Sequence, residues 1–325
     1  MSAVLLQGRP ESLPQVGFET QRYEEIAFFI HRDLCNVADL KSATFMSSLR
    51  KFDFHCHSHF SDGALAPQDL LVLAKERGVE LLAITDHDTL KGYSPMLQAQ
   101  ASALGLELIN GCEISCQWQR RGIHVVGLNM HLHDPDFALA MQAQGQARLL
   151  RAQGITDALQ RLGFEVELKQ VQTLAGSGMI GRPHFAQHLV ESGQMPSMAA
   201  AFKRVLGSGK PGDIKANWPS LEDVVGWIVR AGGVAVLAHP LKYKMTLTKL
   251  RSLLDDFEQA GGQGLEVITG HQEPNQIRTL TDLALRYGFY ASAGSDFHSP
   301  GQPWAALGHV QPLPRSCRPV WEHWS

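Results

Sequence analysis

The sequence predicts an α/β protein whose seven short strands close into a distorted (β/α) barrel carrying a small helical insertion. Three observations lead there. Short β-rich runs alternate with helical stretches from Phe52 onward, the alternation breaks once into purely helical sequence, and polar side chains gather where the runs end.

The β-rich runs are Phe52–His57, Leu81–Thr85, Leu106–Ile109, Ile123–Asn129, Val234–Ala238, Leu265–Ile268 and Tyr290–Ala293. Helix signals lie between them. Pro67 occupies a first helical position ahead of Leu70, Leu71 and Ala74, and Gly78 closes that segment. Ser220-Leu-Glu-Asp223 has the capping-box pattern ahead of Val224, Val225 and Ile228, and a further helix opens at Pro274 and ends at Gly288. Strands that alternate with helices imply a parallel sheet, and roughly seven repeats favour closure into a barrel.

Residues 135–218 break the rhythm with amphipathic helical patterns around 140–163 and 184–206 and no strand pattern. They read as a helical subdomain beside the barrel mouth, inserted into a domain covering 46–325. Residues 1–45 lack a sustained period apart from a helical pattern over Tyr23–Leu34, and form an N-terminal extension for which disorder is one reading.

Composition narrows the function classes. The formal charge is 29 − 32 = −3, so no global basic field grips a long nucleic acid, and such a substrate would be held locally, at an end. No apolar run nears the roughly 18 residues that span a bilayer, and no signal-peptide pattern opens the chain. Five cysteines without a CxxC pair read as reduced thiols. The expected setting is cytoplasmic, with no membrane and no stable protein partner.

The strand ends carry the chemistry. Asp53-Phe-His55-Cys-His57 ends the first run, Thr85-Asp86-His87-Asp88 follows the second, and Gly111-Cys-Glu113 follows the third. His124 lies near the start of the fourth, His239 ends the fifth, and Asp296-Phe-His298 follows the last. In a barrel of parallel strands these ends share one face. Residues i and i+2 of an extended strand project to one side, so His55 and His57 point together, as do Asp296 and His298. Any one such motif is often a solvated or core pair; the ordered set is not.

Other features have plainer readings. His131-Leu-His133 reads as a loop, and His184 and His188 lack the glutamate of a zincin helix. Cys112 and Cys116 read as packed thiols, and His271 with Gln272 stand near the sixth strand end as open candidates for substrate contact. Arg148 and Arg151 read as a solvated helix face, and Arg182, at the start of a helix beside His184, suits an anion.

The strings His55-Cys-His57-Ser-His-Phe-Ser-Asp62-Gly63, Thr85-Asp86-His87-Asp88-Thr89, Gly111-Cys-Glu113-Ile-Ser115, Ala238-His239-Pro240 and Gly294-Ser-Asp296-Phe-His298 together resemble the PHP (polymerase and histidinol phosphatase) superfamily, from residue 52 to about 310. Asp62 with Gly63, Gly181-Arg182-Pro-His184-Phe, Gly209-Lys210 and Ile123-His124-Val-Val-Gly-Leu-Asn129 look like its branch of nucleotide 3',5'-bisphosphate phosphatases and 5'-to-3' exoribonucleases.

The resemblance implies a seven-stranded barrel and a site of three divalent cations, with Mn²⁺ expected and Fe²⁺ or Zn²⁺ compatible with the ligands. One cation would take His55, His57, Glu113 and Asp296; a second would share Glu113 with His124 and His239; a third would take Asp62, His87 and His298. Six neutral imidazoles and three carboxylates would leave about +3 on such a cluster, which suits a phosphate dianion and a metal-bound hydroxide as nucleophile. Arg182, His184 and Lys210 are then the expected contacts to a substrate 5'-phosphate. The implied reaction is hydrolysis of nucleoside 3',5'-bisphosphates to the 5'-monophosphate and phosphate, removal of 5'-terminal nucleotides from RNA, or both. The partner is a nucleotide or a 5'-phosphorylated RNA end.

Competing readings are a phosphomonoesterase for a small metabolite such as histidinol phosphate, a binding module with a degenerate metal site, and an amidohydrolase. Asp62 and the insertion argue against the first, the full set of ligand types against the second, and the lack of a bridging lysine against the third.

Overall fold

A computed structural model describes residues 50–215 and 218–324. The pattern over Tyr23–Leu34 and the extension at 1–45 lie outside the described residues. Seven strands follow one another in chain order around a single sheet: β1 Phe52–Asp53, β2 Leu81–Ile84, β3 Glu107–Trp118, β4 Arg121–Leu128, β5 Val234–Leu237, β6 Gly264–Thr269 and β7 Tyr290–Gly294. The ring closes between its first and last members. Phe54 donates its N–H to Ala293 O at 3.1 Å, Asp296 to His55 O at 2.7 Å and His57 to Phe297 O at 2.9 Å. This closure is why two motifs some 240 residues apart become neighbours, as an i–j separation of 239 between the paired His57 and Asp296 records.

The sheet is not all parallel, contrary to the sequence expectation. β3 runs well past Ile109 and pairs with β4 as an antiparallel hairpin, and β4 pairs antiparallel with β5. Gln119 and Arg120 turn the hairpin with φ of 45° and 65°, the left-handed pair that a tight two-residue turn requires. The reversal has a consequence for the rim. Because β4 runs backwards, its beginning rather than its end meets the finishing ends of the parallel strands, and His124 there stands opposite Ser115. Glu113 likewise lies inside a strand and not after one.

Nine α-helices are described: α1 Pro67–Glu76, α2 Pro95–Ala103, α3 Pro135–Arg161, α4 Leu168–Ala175, α5 Arg182–Glu191, α6 Met198–Ala201, α7 Leu221–Arg230, α8 Leu247–Gln259 and α9 Pro274–Tyr287. Their ends follow the local sequence. Ser220 Oγ accepts the Asp223 N–H at 3.0 Å to cap α7, and Gly288 stops α9 at φ 66°. Inner strand residues such as Ile114, Val125, Val236 and Leu265 bury against α7, α8 and α9 through Val225, Leu254 and Leu280. The segment from α3 to Leu206 carries an apolar cluster of its own, including Ile155, Leu159, Phe185, Leu189 and Leu206. No helix among the described residues is long and apolar enough to cross a membrane.

Closure depends on a close approach at Gly294. A Cβ there would lie 2.2 Å from His55 Cβ and 2.6 Å from its backbone nitrogen. Gly294→Ala should therefore cost about 3 kcal/mol or more, at the upper end of the overpacking range, and urea unfolding of the two proteins measures it.

Candidate metal centre

The strand ends bring nine side chains to one rim. His55 and His57 follow β1, Asp62 sits in the turn beyond, His87 follows β2, Glu113 and His124 come from the hairpin, His239 follows β5, and Asp296 and His298 follow β7. All nine fall in four overlapping groups whose donor atoms lie within 4.8 Å of one another: His57/Asp62/His87/His298, His55/Glu113/His239, His55/His57/Asp296 and His87/Glu113/His124. These groups cut across the three ligand sets expected from the sequence, since His57 joins Asp62 and His124 joins His87.

Glu113 is the hub, and it is 1 % exposed. Its Oε2 has His87 Nδ1 at 3.0 Å and His55 Nε2 and His57 Nε2 at 3.3 Å. Its Oε1 has His124 Nδ1 and His239 Nε2, each at 2.7 Å. Burial alone would raise this carboxyl, but the surrounding imidazoles, His124, His87 and His55 foremost, hold it well below the usual carboxylate range. The same contest, burial against His55, His57 and Lys242, leaves Asp296 well below its ordinary value. Histidines split in response: burial and the neighbouring His298 lower His57 to about 3, whereas Asp62 overcomes burial and raises His298 to about 10.

The donors fit cations better than they fit one another. His55 Nε2, His87 Nδ1, His239 Nδ1 and Asp62 Oδ1 are buried without a hydrogen-bond partner, although carboxylate oxygens stand only 3.0 Å from His87 Nδ1 and 3.3 Å from His55 Nε2. Lone pairs that converge without aligned donors suit nitrogen- and oxygen-seeking divalent ions. Backbone strain marks the same rim: Asp88, His239 and Asp296 have φ of 52°, 29° and 55°, in a region non-glycine residues seldom visit.

Several acids at the strand ends hold the scaffold instead. Asp53 accepts the N–H groups of Ser295 and Gly308, each at 2.8 Å, pinning the loop after β7. Asp86 accepts the Ser58 N–H at 2.8 Å and the Ser61 hydroxyl at 2.6 Å, and burial raises both carboxyls. Glu266, from the one strand without an expected metal ligand, accepts from His55 Nδ1 at 3.0 Å and from the His239 N–H at 2.6 Å. It orients the His55 imidazole and fixes the His239 backbone. Sequence reading passed over it, although a lone charge inside Leu265-Glu266-Val267-Ile268 was the available signal.

Arg148 is a correction. Its expected solvated face is buried at 5 % exposure, and Nε donates to Asp88 Oδ2 at 2.6 Å. Asp88 also accepts the Ser115 N–H at 2.6 Å, and Arg148 reaches Ile180 O at 3.3 Å, so this pair ties α3 to the rim and to the segment before Arg182. Arg151 stands beside it, with its guanidinium over Trp218 at 5.9 Å; burial, Arg182 and Arg148 lower it to about 10.

Two clefts flank the cluster and share Asp62, Pro183, Phe202 and Lys242. One, of about 750 Å³, is lined by His87, His124 and many cations, among them Arg148, Arg151, Arg182 and Lys215. The other, of about 1010 Å³, runs past Asp296 and His298. The expected phosphate contacts therefore separate. Arg182 faces the first cleft, with Asp213 Oδ1 at 3.3 Å; His184 faces the second, with Nδ1 accepting the Gly181 N–H at 3.0 Å. Lys210 is exposed and lines neither. Also missed were Lys242, which pairs with Asp296, and Tyr243, whose hydroxyl accepts the His124 N–H at 2.9 Å. His131, His133 and His271 are exposed, His188 is half-buried, and all four stand outside the four groups.

A barrel with this rim is the architecture of metal-dependent phosphoesterases of the PHP type, and a PHP domain model matches residues 53–181. The chain is 41% identical to a 3',5'-nucleoside bisphosphate phosphatase of Chromobacterium violaceum over 84% of this chain and 96% of that one. It is 40% identical to a 5'-3' exoribonuclease of Haemophilus influenzae (84% and 98%) and 39% identical to the 5'-3' exoribonuclease Rnm of Escherichia coli (84% and 93%). Among solved structures, a Chromobacterium violaceum protein described as an amidohydrolase with bound sulfate and no metal superposes with a TM-score of 0.78 at 41% identity, covering 84% and 95% of the two chains. The chain belongs to the PHP family.

If Glu266 orients His55 and His239, Glu266→Gln should weaken divalent-cation binding about ten- to hundredfold, the usual effect of losing a carboxylate behind a liganding histidine. Titration calorimetry with Mn²⁺ measures the change.

Proposed function

We propose that the protein hydrolyses nucleoside 3',5'-bisphosphates to the 5'-monophosphate and phosphate, and removes 5'-terminal nucleotides from RNA. The observation that carries this reading is the joining of the Glu113 histidine cluster to a cleft lined by Arg151 and Arg182. One feature suits attack on a phosphate ester, and the other suits a second phosphate on the same molecule. The activities named for the Chromobacterium and Haemophilus relatives support the substrate class.

Three cations, Mn²⁺ in this reading, would be held by His55, His57, Asp62, His87, Glu113, His124, His239, Asp296 and His298. When bound, they supply an activated water and neutralise the charge developing on phosphate oxygens. The chain's own groups do the rest. Glu266 orients the His55 imidazole, Tyr243 holds the His124 backbone, and Lys242 beside Asp296 offers a donor to a phosphate oxygen. Arg182, with Arg151 next to it, would anchor the 5'-phosphate, so the ester beyond the ribose lies at the cluster. His184 would border the second cleft, and Lys210, on an exposed loop, would reach the 5'-phosphate from outside both clefts.

In the same reading the helical insertion at about 135–218 selects substrate within a domain of 46–325. The setting is cytoplasmic, in keeping with Cys56, Cys112, Cys116 and Cys317 as buried free thiols.

With Mn²⁺, the purified protein should release phosphate from adenosine 3',5'-bisphosphate and mononucleotides from 5'-phosphorylated oligoribonucleotides, and Asp296→Ala should abolish both. Arg182→Ala should raise KM for these substrates about ten- to hundredfold, the loss expected for a charge-assisted contact, with little effect on adenosine 3'-monophosphate, which lacks the 5'-phosphate. Faster turnover of histidinol phosphate than of either nucleotide would instead establish the small-metabolite reading.

A further inference from the structure

The two clefts differ in chemistry, and the difference gives the substrate a direction. Lys242 and Phe202 line both clefts, but the one beside His87 and His124 alone holds guanidinium groups, while the larger one alone has apolar walls from Leu174, Ala175, Met198 and Trp304. Phosphate belongs to the first and nucleobases to the second. The apolar cleft opens on Asp62, Asp296 and His298, so it is where whatever follows the cleaved ester must lie if the 5'-phosphate sits by Arg182.

Trp304 stands out within it. The side chain is 62% exposed, a large apolar area to leave in water. Its backbone is nonetheless held: Trp304 O accepts the His271 N–H at 2.7 Å, and Gly270 allows the approach, since a Cβ there would meet that oxygen at 2.4 Å. The loop is bonded within itself as well, with the Ala305 N–H to Gln302 O at 3.1 Å and Gln302 Nε2 to Ser299 Oγ at 3.0 Å. A fixed backbone presenting an open indole at the edge of a cleft is a preformed stacking surface.

We infer that the apolar cleft takes the part of a single-stranded RNA that lies 3' of the scissile phosphate, and that Trp304 stacks on a base of that segment. Every base has a π-face, so stacking holds a chain without reading its sequence. A nucleoside bisphosphate has no base beyond its 3'-phosphate, so it leaves Trp304 untouched. Trp304 is thus a specificity residue that favours RNA over the mononucleotide. This inference rests on the function proposed above, and two readouts separate them.

The full-length manganese-loaded protein is compared with Trp304→Ala and Trp304→Phe. Hydrolysis of a 5'-phosphorylated oligoribonucleotide is measured against adenosine 3',5'-bisphosphate, and binding of a hydrolysis-resistant phosphorothioate-linked oligoribonucleotide is followed by fluorescence anisotropy. Trp304→Ala should lower kcat/KM about tenfold more for the oligonucleotide than for the bisphosphate and weaken oligonucleotide binding about tenfold, within the range for loss of one stacked base. Trp304→Phe should restore most of both. Equal losses on the two substrates, unchanged oligonucleotide kinetics and binding, or no RNA binding by the unaltered protein would each overturn the inference. If the unaltered protein cleaved neither substrate while Trp304→Ala still weakened RNA binding, the proposed reaction would fall and the stacking site would stand.

Discussion

Glu113 is a carboxylate buried at 1 % exposure with five imidazole nitrogens within 3.3 Å. A buried charge is tolerated only when it is paired, and an isolated one would protonate. Here the imidazoles keep it ionised, and it in turn sets where they stand. They arrive from four separate places, so the carboxylate can be satisfied only if β1, β2, the hairpin and β5 finish together. The closed barrel achieves this, and the hydrogen bonds between the segments after β1 and β7 add Asp296 and His298 to the same rim. Site and closure are one constraint seen from two sides.

The arrangement also explains the strain. Asp88, His239 and Asp296 hold left-handed backbone angles where Asp88 takes the Ser115 N–H, His239 gives its N–H to Glu266, and Asp296 gives its N–H to His55. Those bonds over-determine each residue and offset a conformational cost of about 1–3 kcal/mol apiece. Arg148 extends the network outward, and its buried ion pair with Asp88 joins the rim to the insertion alongside the hydrogen bonds of Gln144 to Asp88 and Ser115.

The sequence was informative where chemistry coincides with strand ends. His55, His57, Asp296 and His298 could be paired before any coordinates, because alternation in strands is rigid and a closing barrel brings its first and last members together. Reversal of β4 was not readable: Ile123–Asn129 has the same apolar character in either direction, and a hairpin turned by Gln119 and Arg120 lacks the glycine or asparagine that normally announces it. Arg148 misled for a related reason. On a long helix an arginine is usually solvated, and only tertiary packing against Asp88 makes its face an inner one. Lys210, a glycine-flanked lysine, stands on an exposed loop and lines neither cleft. Glu266 lay hidden because sequence shows a charge in a strand but not which imidazole it faces.

Everything turns on cations gathering around one carboxylate. Crystals grown with Mn²⁺ and measured at the manganese absorption edge would locate them by anomalous scattering. The account predicts three peaks within coordination distance of the nine side chains, two of them touching Glu113. Peaks elsewhere on the protein, or none at this rim, would contradict it.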